Sequence, residues 1–487
     1  MITFFVSLTI LVAAYFIYGA YTEKTFGADG NKPTPAITHY DGIDFVPIKA
    51  IKIFLIQFLN IAGLGPIFGA IAGALWGPVA FLWIVLGCIF IGSMHDYLSG
   101  MISLRHKGAS ISEIVGIYLG KEVMMFMRFF TVALLVLVGV VFIKGPAAIL
   151  TSITGLDVLY FIIAIFVYYI LATMLPVDKI IGKIYPVFGV IFLFMAIGVG
   201  AGLIWQGYEI PELSLQNLTN MHPAGDSHPI YPLLFITIAC GAISGFHATQ
   251  SPMMARCLPN EKDGKRIFFG AMIAEGIVAL IWAAAAMSFF GGIRELGETM
   301  AAPNHNAAWV VNEICNSLLG KIGGFLAIIG VVVAPITSGD TAFRSARLII
   351  SDIFNIGQKK ILPRLYITIP LFIIGLILTY INFDLIWRYF GWANQSLAAI
   401  VLWTITAYLM QKKRNYKIAL IPALFMTSVV VSYILTAPEG LGLNPTISLI
   451  LGLLTTTVIA AGFFVSQKKK IKAQQKEHIK AFSETLD

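Results

Sequence analysis

Charge is the first thing this chain lacks: 12% of its 487 residues are charged, about half the roughly 25% of soluble globular proteins. So little solvating charge excludes a folded domain surrounded by water. Cysteine is scarce as well. Cys88, Cys240, Cys257 and Cys315 lie far apart, mostly in or beside apolar runs, which excludes a disulfide framework and a CxxC metal site. They read as ordinary buried thiols. No HExxH, P-loop or nucleophile–base arrangement is present, so the chain is not expected to be an enzyme. A TVGYG-type channel filter is missing too.

What is present is hydrophobic length. Apolar residues make up 58% of the chain and the mean hydropathy is +0.85. Runs long enough to cross about 30 Å of hydrocarbon as helices recur from Met1 to Val465. We read thirteen segments, at 2–21, 49–75, 79–104, 124–148, 157–175, 184–206, 230–255, 266–290, 320–350, 364–382, 389–410, 417–436 and 445–466. The first has no basic residue before its apolar stretch and is too long for a signal peptide, so it reads as a retained span.

The formal net charge of +8 sits in short clusters between these runs, a pattern that orients helices rather than grips nucleic acid. Lys24, Lys32 and Lys49 share one side with Arg105, Lys107 and Lys121, with Lys179 and Lys183, and with Lys262, Lys265 and Arg266. Lys359, Lys360, Arg364, the stretch Lys412 to Lys417 and the basic tail continue that side, whereas 207–229 and 437–444 carry no Lys or Arg. The N-terminus is therefore expected outside and the tail, 467–487, in the cytoplasm.

Two segments interrupt themselves. The second contains Asn60-Ile-Ala-Gly63-Leu-Gly65-Pro66, and the seventh contains Ser244-Gly245-Phe246-His247-Ala-Thr249-Gln250-Ser251-Pro252. Unwound backbone and polar side chains are costly in lipid, so both must face protein or a water-filled cavity. Five segments separate them, an odd number, so they cross in opposite directions. The pattern predicts two five-helix units of inverted topology with a substrate site near the midplane. Gly63, Gly65, Pro66, Ser244, Gly245, Phe246, His247 and Gln250 are its candidate lining, joined by Asn394 and Gln395 in the polar patch Trp392–Ser396, which reads as opening the eleventh segment and has a helix cap as its alternative.

Ala334, Thr337 and Ser338 on the ninth segment, with carbonyls near Ile61 and Gly65, offer the oxygen ligands a sodium ion takes. The alternative for Thr337 and Ser338 is bonding back to their own helix. Asp96, Asp340 and Arg344 lie within spans and are candidates for gating or proton coupling; Asp340 with Arg344 also reads as a helix pair. Ser110-Ile-Ser-Glu113 has the form of a capping box starting a short helix.

Asp41-Gly-Ile-Asp44-Phe-Val-Pro47, Gly63-Leu-Gly65-Pro66, His95-Asp96-Tyr97 and Arg105-His-Lys-Gly108-Ala-Ser110 together resemble the carbon starvation protein A family. So do Ser244-Gly245-Phe246-His247-Ala248, Thr337-Ser338-Gly339-Asp340-Thr341 with Arg344 and Arg347, and Gly391 to Gln395. The resemblance implies a multi-pass protein of a bacterial or archaeal cytoplasmic (inner) membrane that takes up peptides or, in some relatives, pyruvate. It also implies kinship with amino acid–polyamine–organocation transporters. The expected fold is then an all-α, LeuT-like five-plus-five inverted repeat of about thirteen transmembrane helices. Its parts are an extra helix at 1–21, a cytoplasmic connection at 22–48, repeats at 49–206 and 230–410, two peripheral helices at 411–466 and the tail. The expected function is secondary active import of short peptides or small carboxylates, driven by sodium or protons. A sensor without flux and a sodium-coupled amino acid transporter are the alternatives. Beyond a possible sodium ion no cofactor is expected, and the partners are a small-molecule substrate and the lipid bilayer.

Overall fold

The computed structural model describes residues 1–42, 44–174, 177–303, 305–354, 356–357 and 361–484, without the side chains of 173–184, 474 and 476–484. Ile43, Lys359, Lys360, the end of the tail and the side chains of Lys179 and Lys183 thus lie outside the described residues.

Among the described residues the chain is helical, with no strand. The spans are α1 (Ile2–Phe26), α2a and α2b (Ala50–Ile61 and Gly65–Trp76), α3 (Val79–Arg105), α4 (Lys121–Thr154), α5 (Val158–Met174) and α6 (Val177–Trp205). Then come α7a (Ile230–Leu234, continued by Phe235–Thr237), α7b (Gly245–Ala255), α8 (Glu261–Phe289), α9 (Ala307–Phe354), α10 (Ile361–Thr379), α11 (Phe383–Gln411), α12 (Lys417–Thr436) and α13 (Pro445–Glu484). Among the described residues ten helices are long and apolar enough to cross a membrane, and the bent α2a–α2b pair makes an eleventh. The shorter α5 and the interrupted α7 account for the other two segments read from the sequence.

Burial sorts these helices into an inner set and an outer ring. The most apolar stretches of α3, α8 and α11 are 78%, 83% and 83% buried, against 28%, 28% and 17% for α1, α10 and α13. The outer helices present Phe16, Ile17, Ile377 and Val458 to the surroundings, an apolar face suited to lipid rather than water. The α2–α6 and α7–α11 units each open on a broken helix. In α2 the chain leaves the helix at Ala62 and resumes 54° away, with Pro66 in the first turn of α2b, where a missing N–H costs nothing. In α7 it unwinds from Ile238 to Ser244, which is extended at φ −144° and ψ 125°. α7b packs against α3 and α11, α2b packs against α8, and α9 runs along α4 and α6.

The helical path departs from simple segment ends at several points. α13 continues from the last span into the tail as far as Glu484, since Lys, Gln, Glu and Ala favour helix whether or not lipid surrounds them. α9 is two helices joined at Gly320, which is non-helical at φ +65°: one from Ala307 precedes it, and the expected segment begins after it. The polar patch Trp392–Ser396 does not open the eleventh helix but lies inside it; Asn382 caps that helix earlier, accepting from Asp384 N and Leu385 N. The capping box forms as read: Ser110 and Glu113 each accept the other's backbone N–H at the start of Ile111–Leu119.

Candidate functional site

The two breaks meet. A methyl group added at Gly65 would overlap Cys240 Cβ and Sγ, so only glycine allows α2b this close to the unwound part of α7. Gly63, Gly65, Pro66, Ser244, Gly245, Phe246, His247 and Gln250 are all buried around this contact. Gly65 and Pro66 thus lie against the unwound segment of α7, whereas Gly63 faces Phe142 of α4 and Gly245 faces α11.

α11 holds the second break. Asn394 Oδ1 accepts from Phe246 N at 2.7 Å and Ser244 Oγ at 3.1 Å, an N-cap for α7b supplied by another helix. Its Nδ2 donates to Cys240 Sγ at 3.7 Å, and Gln395 Nε2 donates to Phe235 O at 3.2 Å on α7a. Asn394 and Gln395 thus clamp the two halves of α7. The close fit extends to Gly245, where a Cβ would overlap the Asn394 carbonyl.

Beneath the clamp lies a chain of fully buried ionisable groups. His95 Nδ1 and His247 Nδ1 donate to Asp96 Oδ1 and Oδ2, each at 2.8 Å. On its other side, His247 Nε2 stands 3.4 Å from Glu275 Oε2 of α8, within ion-pair distance but outside hydrogen-bond geometry. The chain crosses from α3 of the first unit to α7b and α8 of the second. Cys240, His247 and Glu275 also offer one ligand atom each within 4.8 Å of one another, a set able to hold a metal ion. Glu275 and Cys240 are absent from the sequence-derived site. Glu275 had a signal, since a lone carboxylate in an otherwise apolar span is functional by default.

Of the expected sodium ligands, Ala334, Thr337 and Ser338 bond among themselves within α9. Ala334 O accepts from Thr337 Oγ1 at 2.7 Å and from Ser338 Oγ at 2.9 Å, so both hydroxyls bond back to their own helix. Ser338 Oγ is also 3.1 Å from Leu59 O of α2a. Leu59 O thus reaches the cluster from α2a, whereas Ile61 O accepts from Gly63 N. Nearby on α2a, the buried amides of Gln57 and Asn60 make no hydrogen bond, and neither do Gln250 Oε1 and Gln395 Oε1. Farther along α9, Asp340 Oδ2 accepts from Tyr185 OH at 3.1 Å, and Arg344 Nη2 donates to Ala172 O at 2.9 Å. That group ties α9 to α5 and α6 and stands apart from the Asp96 chain. On the side of the basic loops, a cavity of about 90 Å³ lies among Thr249, Pro252, Arg256, Ser345 and Asp352.

The family model described as Carbon starvation protein CstA matches residues 1–200, 134–319 and 305–433. A peptide transporter CstA of Bacillus subtilis is 27% identical, over 94% of each chain. An uncharacterised membrane protein of Haemophilus influenzae is 43% identical over 62% of this chain and 95% of its own. The pyruvate/proton symporter BtsT of Escherichia coli is 26% identical over 56% of this chain and 47% of its own. Among solved structures, a variant of the Eremococcus coleocola manganese transporter shares the fold at 11% identity, with a TM-score of 0.52 over 89% of this chain and 99% of that one. The Bacillus subtilis, Escherichia coli and Eremococcus coleocola proteins are named as transporters, a non-enzymatic function. With the model spanning most of its length and the helices arranged as above, this multi-pass bacterial membrane protein belongs to the carbon starvation protein CstA family.

Proposed function

We propose that this protein is a secondary active transporter that imports small carboxylates or short peptides into the cytoplasm. The observation that carries the reading is the junction of two broken helices, with the wholly unpaired buried amides of Gln57 and Asn60 and the unpaired Oε1 atoms of Gln250 and Gln395 beside it. Amide groups without partners are costly inside a protein; carbonyl or carboxylate oxygens of a solute would satisfy the Gln57 and Asn60 NH2 groups, and a solute N–H or O–H would satisfy the Oε1 atoms of Gln250 and Gln395. The printed names of the Bacillus subtilis and Escherichia coli relatives point to the same two solute classes. Since the breaks are in contact here, a solute enters only when the two units part, which is alternating access. The basic loops then face the cytoplasm and the 207–229 connection faces outside.

Sodium fits the coupling role through Ala334 O, Thr337 Oγ1, Ser338 Oγ and Leu59 O, oxygens that join α9 to α2a. A proton in its place is the second reading, favoured by the Escherichia coli relative's name and by Asp96, whose carboxylate two imidazoles share.

Proteoliposomes with labelled pyruvate or a labelled dipeptide test this, under an imposed sodium or proton gradient in separate arms. One solute is expected to accumulate and to leak away when an ionophore collapses the driving gradient. Thr337→Ala with Ser338→Ala is expected to remove sodium dependence. Binding without uptake under either gradient would favour the sensor instead.

A further inference from the structure

Cys240, His247 and Glu275 converge at the second break, from three different stretches of backbone: the unwound segment, α7b and α8. Their ligating atoms lie within 4.8 Å of one another, and all three side chains are buried. Ligands of a tetrahedral zinc ion, at roughly 2.0–2.3 Å from the metal, stand about 3.5 Å apart. His247 Nε2 and Glu275 Oε2 already stand 3.4 Å apart.

The unmet bonding of the group points to a ligand. His247 Nε2 and both Glu275 oxygens are buried without a hydrogen-bond partner. The partner side of His247 is already built: Nδ1–H donates to Asp96 Oδ2 at 2.8 Å, which leaves the Nε2 lone pair aimed at Glu275. Asp96 is itself held by His95 through its other oxygen. A carboxylate that orients an imidazole from behind is the usual outer support of a metal-binding histidine. A proton between His247 and Glu275 would satisfy one contact; a cation satisfies the nitrogen, the carboxylate and the thiolate together.

We propose that Cys240, His247 and Glu275 form a binding site for a borderline-soft divalent cation of the zinc class, with a fourth position open to water or a solute oxygen. Nitrogen and sulfur donors select such an ion over sodium, calcium or magnesium. The site is chemically distinct from the all-oxygen cluster at Ala334, Thr337 and Ser338, and it stands whether or not the protein transports a carboxylate or a peptide.

Cobalt titrated into the purified, chelator-treated full chain tests this by absorption. One cobalt ion per chain is expected, with a thiolate-to-metal band that zinc abolishes. Cys240→Ser should remove that band, and Glu275→Gln should weaken binding at least tenfold. Cys257→Ser, which alters a thiol elsewhere in the fold, should change neither. If the Cys240 and Glu275 variants do not fold, zinc-edge X-ray absorption of the wild type decides: one sulfur at about 2.3 Å supports the site, and nitrogen and oxygen alone overturn it. No cobalt spectrum, a thiolate band surviving in Cys240→Ser, or folded variants binding like the wild type would also overturn it.

Discussion

The two breaks solve one problem in different ways. The first is short and self-supporting: Gly63 N bonds Ile61 O, and Phe68 N bonds Leu64 O at 2.7 Å, so local turns absorb the interruption. The second is longer; a local turn at Ala239, whose carbonyl accepts from Ala242 N and Ile243 N, is supplemented from outside by Asn394 and Gln395 reaching across from α11. A local break can be specified by a few adjacent residues. A clamped break needs two distant segments to agree, and its geometry changes whenever α11 moves. The first therefore behaves as a fixed bend and the second as a joint whose state depends on its neighbours.

The largest expected effect comes from forcing the breaks apart. Gly65→Ala should cost about 1–3 kcal/mol by overpacking, lower the melting temperature and abolish uptake. Adding Cys240→Gly removes the clashing atoms and should restore much of the lost stability. A double variant no better than the single one would show that the contact is not what Gly65 provides.

Next comes the clamp. Asn394→Ala leaves Phe246 N and Ser244 Oγ without their acceptor and should cost about 1–2 kcal/mol, as loss of a helix cap does. Hydrogen exchange should quicken at the start of α7b and stay unchanged in α2b. Equal quickening in both would merge the two breaks into one cooperative unit.

The smallest effect concerns the far end of α2b. The Trp76 ring meets His222 at 4.4 Å, tilted by 52°, and donates through Nε1 to His228 O at 3.0 Å. Burial, and then the neighbouring His228, hold His222 down at about 4 against an ordinary 6.5. A histidine with a lowered value takes up its proton more readily when undocked. Docking of the 207–229 connection is thus strongest above about 6.5 and weakens as pH falls toward 4. Tryptophan emission should shift over that range in the wild type and not in His222→Gln. An identical shift in both would place the titration elsewhere.

Much of the architecture was legible because membranes demand long apolar runs, and because glycine and proline interrupt them locally. Gly63-Leu-Gly65-Pro66 and Ser244-Gly245 marked both breaks for that reason. What stayed hidden depends on distant neighbours. Asn394 looked like part of a polar helix start, yet it caps a helix some 150 residues earlier in the chain, which no local pattern encodes. Cys240 looked like an ordinary thiol because its companions come from α7b and α8. Glu275 was visible as a lone carboxylate, and only its proximity to His247 gives it meaning. Gly320 marks the start of the ninth segment as read, while the helix from Ala307 that leads into it was not foreseen.

The contact between Gly65 and Cys240 sets a toll on affinity. Opening room for a solute of ~100 Å³ in a close-packed interior, at about 24 cal/mol per Å³ of emptied volume, would cost about 2.4 kcal/mol. The same solute would bind a preformed hollow roughly fifty-fold more tightly. A molecule that crosses here must recover that deficit from its own polar contacts, so the tightness of the closed state acts as a filter against anything too inert to wedge it open.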